Sequence, residues 1–92
     1  MIRSFRSKAL AELFDDGSTR RIDKRLHKRI QVRLDRLDIA TEPSGMNLPG
    51  FDFHALRGFD PTRYTVHVNG PWCIAFEFDG QDAVQVDLEQ YH

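Results

Sequence analysis

One cysteine in 92 residues excludes an internal disulfide and a metal site built from cysteines alone. No stretch is apolar for long enough to span a membrane, and the opening Met1–Lys8 is charged, so neither an anchor nor a signal peptide is expected. The histidines, at 27, 54, 67 and 92, form no local ligand pair such as H-x-x-x-H. A phosphate-cradling glycine loop and a G-x-S-x-G elbow are also missing, so no metal and no cofactor is expected. There is no internal repeat and no low-complexity segment. What remains is a single domain, residues 1–92, of a small cytoplasmic protein.

The net charge of −1 hides an asymmetry. Residues 1–45 carry eleven Lys/Arg against seven Asp/Glu, a balance of +4, and residues 46–92 carry two against seven, a balance of −5. The basic charge is therefore concentrated rather than absent.

The last third of the chain carries the clearest fold signal. Tyr64–Val68, Trp72–Phe78 and Ala83–Glu89 alternate apolar and polar residues, separated by Asn69-Gly70-Pro71 and Asp79-Gly80. These are hairpin turns, because glycine accepts positive φ without a steric penalty. The alternation predicts that Tyr64, Val66, Val68, Trp72, Ile74, Phe76, Phe78, Val84, Val86 and Leu88 face a core. Thr65, His67, Cys73, Ala75, Glu77, Gln85 and Asp87 then face away from it.

Upstream, Ile2–Phe5 alternates briefly and predicts a first strand. Ser7 caps a helix to about Phe14, ended by Asp15-Asp16-Gly17. Asp23 caps a longer helix to about Ala40, with Leu26, Ile30, Leu34 and Leu37 as its apolar stripe. A loop holding Pro43 and Pro49-Gly50 leads to a short strand, Phe53–Leu56. The order is β-α-α-β-β-β-β, an α+β fold with two N-terminal helices on one face of an antiparallel meander.

Between Arg20 and Arg36 stand eight cations, Arg20, Arg21, Lys24, Arg25, Lys28, Arg29, Arg33 and Arg36, against Asp23 and Asp35. Such a face is either solvated or binds a polyanion, and this density of charge attracts phosphates at long range. The groups fit for chemistry are dispersed: His54, Arg57, His67, Tyr91 and His92, with Arg63 nearby. His54 and Arg57 flank a strand-to-loop corner, where polar groups are often presented to ligands. Tyr91-His92 follows an apolar strand at the C-terminus and is either a frayed tail or an aromatic–imidazole pair held in place.

The chain resembles HigB-type toxins of the RelE/ParE, or proteic killer, superfamily over essentially all of its length. The blocks that carry the resemblance are Met1-Ile-Arg-Ser-Phe5, Leu37-Asp-Ile-Ala-Thr41, Pro49-Gly-Phe-Asp-Phe-His-Ala-Leu-Arg-Gly58, Arg63-Tyr-Thr-Val-His-Val-Asn-Gly70, Trp72 with Ile74-Ala-Phe-Glu-Phe78, and the terminal Tyr91-His92. Their order is more specific than any one block.

The resemblance implies the small RelE/ParE-like fold and a ribosome-dependent, metal-independent endoribonuclease that cuts mRNA at the decoding site. It implies a cognate helix-turn-helix antitoxin, and operator DNA as a partner only through the antitoxin complex. It maps His54, Arg57, Tyr91 and His92 onto the active site, and makes Arg20, Arg21, Lys24, Arg25, Lys28, Arg29, Arg33 and Arg63 candidates for binding RNA or the ribosome. Metal-free cleavage by the RNA's own 2′-hydroxyl needs such groups: imidazoles to move protons, a cation for the phosphorane, and an aromatic ring to stack on a base.

The sequence departs from the family at Cys73, where arginine is usual; at Gln90, where an acid is common; and at Arg57, where lysine is frequent. A neutral thiol cannot replace a phosphate clamp, which makes Cys73 the candidate site residue most at odds with full activity. Either other cations compensate or the toxin is attenuated. Two further readings stay open: a target-binding toxin like the gyrase poisons of the ParE branch, and an inactive homologue that mainly binds its antitoxin.

Overall fold

The computed structural model describes residues 1–90. Helix α1 spans Lys8–Asp16. Ser7 caps it by accepting a hydrogen bond from the Leu10 amide at 3.1 Å. Gly17, at φ 79°, closes it in the left-handed conformation, its N–H donating to the Leu13 carbonyl. The second helix begins differently from expectation. Asp23 does cap it, through the Arg25 amide at 2.9 Å, but the first turn, Lys24–Leu26, is 3-10. The α-helix proper, α2, runs His27–Ile39. Its stripe of Leu26, Ile30, Leu34 and Leu37 is buried, with Ile22 beside it.

Four antiparallel strands follow in sequential order: β1 His54–Leu56, β2 Arg63–Asn69, β3 Trp72–Asp79 and β4 Asp82–Gln90. Both long hairpins stand where the Asn-Gly and Asp-Gly signals put them. The helices cover one face of the sheet. Leu10, Leu13, Ile30, Leu34 and Leu37 pack there with Val66, Val68, Ile74, Phe76, Ala83 and Val86 in one apolar cluster. Burying a side chain of this size contributes roughly 1.5–3 kcal/mol, so this face supplies most of the folding drive. Among the described residues, no helix is long and apolar enough to cross a membrane.

Two expectations need correction. The Ile2–Phe5 strand is reduced to isolated parallel bridges, Ile2 with Ala83 and Phe5 with Val86. The segment does run along the edge of β4, with Arg3 N donating to Ala83 O at 2.8 Å and Arg6 N to Val86 O at 2.9 Å. Arg3 anchors it by pairing with Asp79 and Asp82 at the hairpin tip. A bulge in β4 prevents a continuous ladder: Ala75 pairs with Asp87, but Glu77 pairs with Val84. The same bulge turns Val84 to the face of Glu77, away from the core, whereas strict alternation put it inside.

The bulge is held from several sides. Gln85 adopts φ 54°, a strained value for a residue with a side chain. Its amide donates to Ser4 Oγ at 2.9 Å, and its side-chain oxygen accepts from Arg6 Nε at 3.2 Å. Its carbonyl accepts from both terminal nitrogens of Arg63 at 3.4 Å.

Candidate active site

Residues directly opposite one another in a ladder share a face, so the strand register defines what the helix-free side presents. His54 pairs with Thr65, Thr65 with Ala75, and Ala75 with Asp87, one row across all four strands. His67, Cys73 and Glu89 form a second row beside it. Thr65, His67, Cys73, Ala75 and Asp87 are positions that the alternation set apart from the core.

His54 is exposed, yet its ring is oriented. Nδ1 lies 2.9 Å from the Asp52 carbonyl and Nε2 lies 3.2 Å from Thr65 Oγ1. A carbonyl only accepts, so Nδ1 carries the proton and Nε2 of the neutral ring offers a lone pair. Asp52 presents that carbonyl from a left-handed backbone, φ 46°. Thr65 is buried beneath the ring. Arg57 lies exposed in the turn after β1, and no hydrogen bond or ion pair joins it to the described residues. His67 turns its Nε2 to the Gly70 carbonyl at 3.0 Å, which uses that nitrogen as a donor.

Cys73 lies on the expected face but is only 2% exposed. Its short side chain sits low between the longer His67 and Glu89. Tyr91 and His92 lie outside the described residues; β4 reaches Gln90, which precedes them.

The cations divide into three groups. Two belong to the fold. Arg63, its side chain 3% exposed, pairs with Glu77 at 2.7 Å and Glu89 at 3.2 Å. Arg33 is buried beneath α2: Nε donates to the His67 carbonyl at 2.5 Å, Nη1 to Arg29 O at 3.1 Å and Nη2 to Gly50 O at 3.4 Å. Its guanidinium also lies 4.5 Å from the centre of the Phe51 ring. Burial, and then the Arg29 charge, draw the Arg33 pKa below its ordinary value.

A second group is exposed but paired. Arg25 grips Asp23 through Nε at 3.2 Å and Nη2 at 2.8 Å. The Asp23 carboxyl is held down to about 2, chiefly by that side-chain hydrogen bond. Arg21 approaches Glu12 at 3.9 Å. The third group, Arg20, Lys24, Lys28 and Arg29, is exposed and has no carboxylate partner among the described residues. Arg20, Arg21 and Lys24 line an open groove of about 950 Å³ between the helices, where Glu12, Asp16 and Asp23 balance them. Arg29 also touches the Val68 carbonyl at 3.5 Å, which puts this basic surface beside the His67 end of the sheet.

Sequence reasoning passed over Thr65, Asp52 and the inward use of Arg33. For Arg33 a signal was present. It falls three residues after Ile30 and four before Leu37, on the stripe that packs inward.

Two helices on one face of a four-stranded antiparallel meander are consistent with the RelE-like toxin fold. Sequence comparison specifies the branch. The family model for the RelE-like toxin of the type II toxin–antitoxin system HigB matches residues 3–92, and the chain belongs to that family. The endoribonuclease HigB of Proteus vulgaris is 35% identical over 92 residues, all of both chains. Membership in a type II system implies an antitoxin partner.

Proposed function

We propose that this toxin is a metal-independent endoribonuclease that cuts mRNA on the ribosome and stops translation in the cytoplasm. The observation that carries the reading is the oriented imidazole: His54 Nδ1 donates to the Asp52 carbonyl, and Nε2, the accepting nitrogen, lies against the Thr65 hydroxyl. The name of the Proteus vulgaris relative supports the reaction class.

The chemistry follows from the groups. His54 Nε2 takes the proton of a 2′-hydroxyl, and the 2′ oxygen attacks the adjacent phosphorus. Arg57 stabilises the charge of the pentacoordinate phosphate. The P–O5′ bond breaks, leaving a 2′,3′-cyclic phosphate, and His92 supplies the proton that the 5′ oxygen acquires. Tyr91 stacks on or orients a base. The exposed cations of the helix region meet ribosomal RNA, and the ribosome supplies much of the substrate's orientation. A helix-turn-helix antitoxin neutralises the toxin, and operator DNA is reached only through that complex.

Cys73 leaves the nuclease either active or attenuated, and it favours a second reading, an inactive homologue that chiefly binds its antitoxin. Expression without antitoxin separates the two. Growth arrest with fragmented mRNA supports the nuclease; unchanged growth for both this chain and Cys73→Arg supports the inactive homologue. Supercoiling inhibition with intact mRNA would instead favour the gyrase-poison reading.

A further inference from the structure

His54 is oriented by a bend that no ladder holds. Gly50 at φ 82° and Asp52 at φ 46° both adopt left-handed backbone within three residues. Such a bend persists only if its surroundings determine it. The Phe51 carbonyl accepts from the His67 amide at 2.6 Å, which ties the bend to β2. The Phe51 amide donates to the Leu48 carbonyl at 3.1 Å, and a further restraint comes from α2. Arg33 reaches the Gly50 carbonyl before the bend, the Phe51 ring within it, and the His67 carbonyl on the strand behind it. Its partners are backbone oxygens and an aromatic face, with no carboxylate among them. A buried charge so held is costly to leave unsatisfied, so the carbonyls are drawn to fixed positions around it.

We propose that Arg33 is a positioning residue: its buried guanidinium fixes the Gly50–Asp52 bend, whose carbonyl sets the tautomer and direction of the His54 ring. The catalytic half of this inference rests on the reading of His54 as a proton-transfer group. It removes Arg33 from the RNA-binding cations and gives a helix residue control of the sheet's reactive face. Lysine does not reproduce it, because a point charge lacks the planar fork that bridges separate carbonyls while lying on a ring.

The test uses the full chain, as wild type, Arg33→Lys and Phe51→Leu, the last keeping an apolar side chain while removing the ring under the guanidinium. Folding is followed by circular dichroism, and the His54 ring nitrogens by long-range ¹⁵N–¹H NMR. Cleavage of mRNA on programmed ribosomes gives kcat and KM, and ribosome binding is measured against salt. Both folded variants are expected to lose the clean Nδ1–H signature of His54. Their kcat should fall roughly a hundredfold, the loss typical of a displacement of about 1 Å, with KM and the salt slope unchanged. Unaltered His54 ring signals in either folded variant overturn the proposal. A salt slope shallower by about one unit in a folded Arg33→Gln variant also overturns it, because losing the charge then marks a direct phosphate contact. If the wild type cuts nothing, the nuclease reading falls, while the ring signals still decide whether Arg33 holds His54.

Discussion

Arg63 Nη1 lies 2.7 Å from Glu77 Oε2, on the sheet face that no helix covers. The other arm of the guanidinium reaches Glu89 at 3.2 Å, so one β2 residue binds carboxylates on both β3 and β4. Such burial makes the pair sensitive to the loss of one partner, at a cost of about 3–5 kcal/mol. Arg63→Ala is therefore expected to lower unfolding free energy by about that amount in urea titration. A loss below about 1 kcal/mol would mean that Arg63 behaves as a surface cation.

The exposed cations should act differently. Changing Lys24, Lys28 and Arg29 together to glutamine is expected to leave the melting temperature nearly unchanged. The slope of log ribosome affinity against log salt should become shallower by roughly two to three units. Arg25 is excluded because Asp23 already engages it. An unchanged slope would make this a merely solvated face.

Cys73 stands between His67 and Glu89, where an arginine side chain must extend outward to find room. Cys73→Arg is expected to increase mRNA cutting by tenfold or more, since such a donor is commonly worth about a hundred- to a thousandfold. Crowding should lower stability by about 1–3 kcal/mol. Equal cutting by the two proteins would show that the open face has no need of a cation there.

The Asp23 carboxyl gives a pH prediction. Its folded pKa of about 2 lies below the ordinary 3.8, chiefly because Arg25 hydrogen-bonds the charged form. A depressed carboxyl stabilises the fold above its unfolded pKa and loses that contribution as pH falls through the folded value. Between pH 3.8 and about 2, Asp23→Asn should flatten a small part of the acid-side fall in melting temperature. Asparagine keeps the helix cap, so the neutral-pH effect should be slight. An acid-side curve identical to wild type would remove Asp23 from the account.

Much of this architecture is legible in the chain. Asn69-Gly70 and Asp79-Gly80 mark the hairpins because few other dipeptides accept those turns, and Leu26, Ile30, Leu34 and Leu37 mark the inner side of α2. Val84 was misassigned because the bulge at Gln85 depends on Arg6, Ser4 and Arg63, partners far apart in the sequence. The direction of His54 was equally hidden. It depends on the register that places Thr65 beside it and on the left-handed Asp52, and neither follows from local pattern. Arg33 and Arg63 read as surface charge because charge predicts exposure; here backbone carbonyls and two carboxylates override that tendency.

The central claim is that the open face cuts RNA through His54. The most direct measurement is end mapping of mRNA on translating ribosomes, with wild type, His54→Ala and a chain lacking Tyr91 and His92, each checked for folding. The account predicts codon-phased cuts with 2′,3′-cyclic phosphate and 5′-hydroxyl ends for the wild type. Both folded variants should lose those cuts. Phased cutting that survives in His54→Ala, or its absence from the wild type, would contradict it.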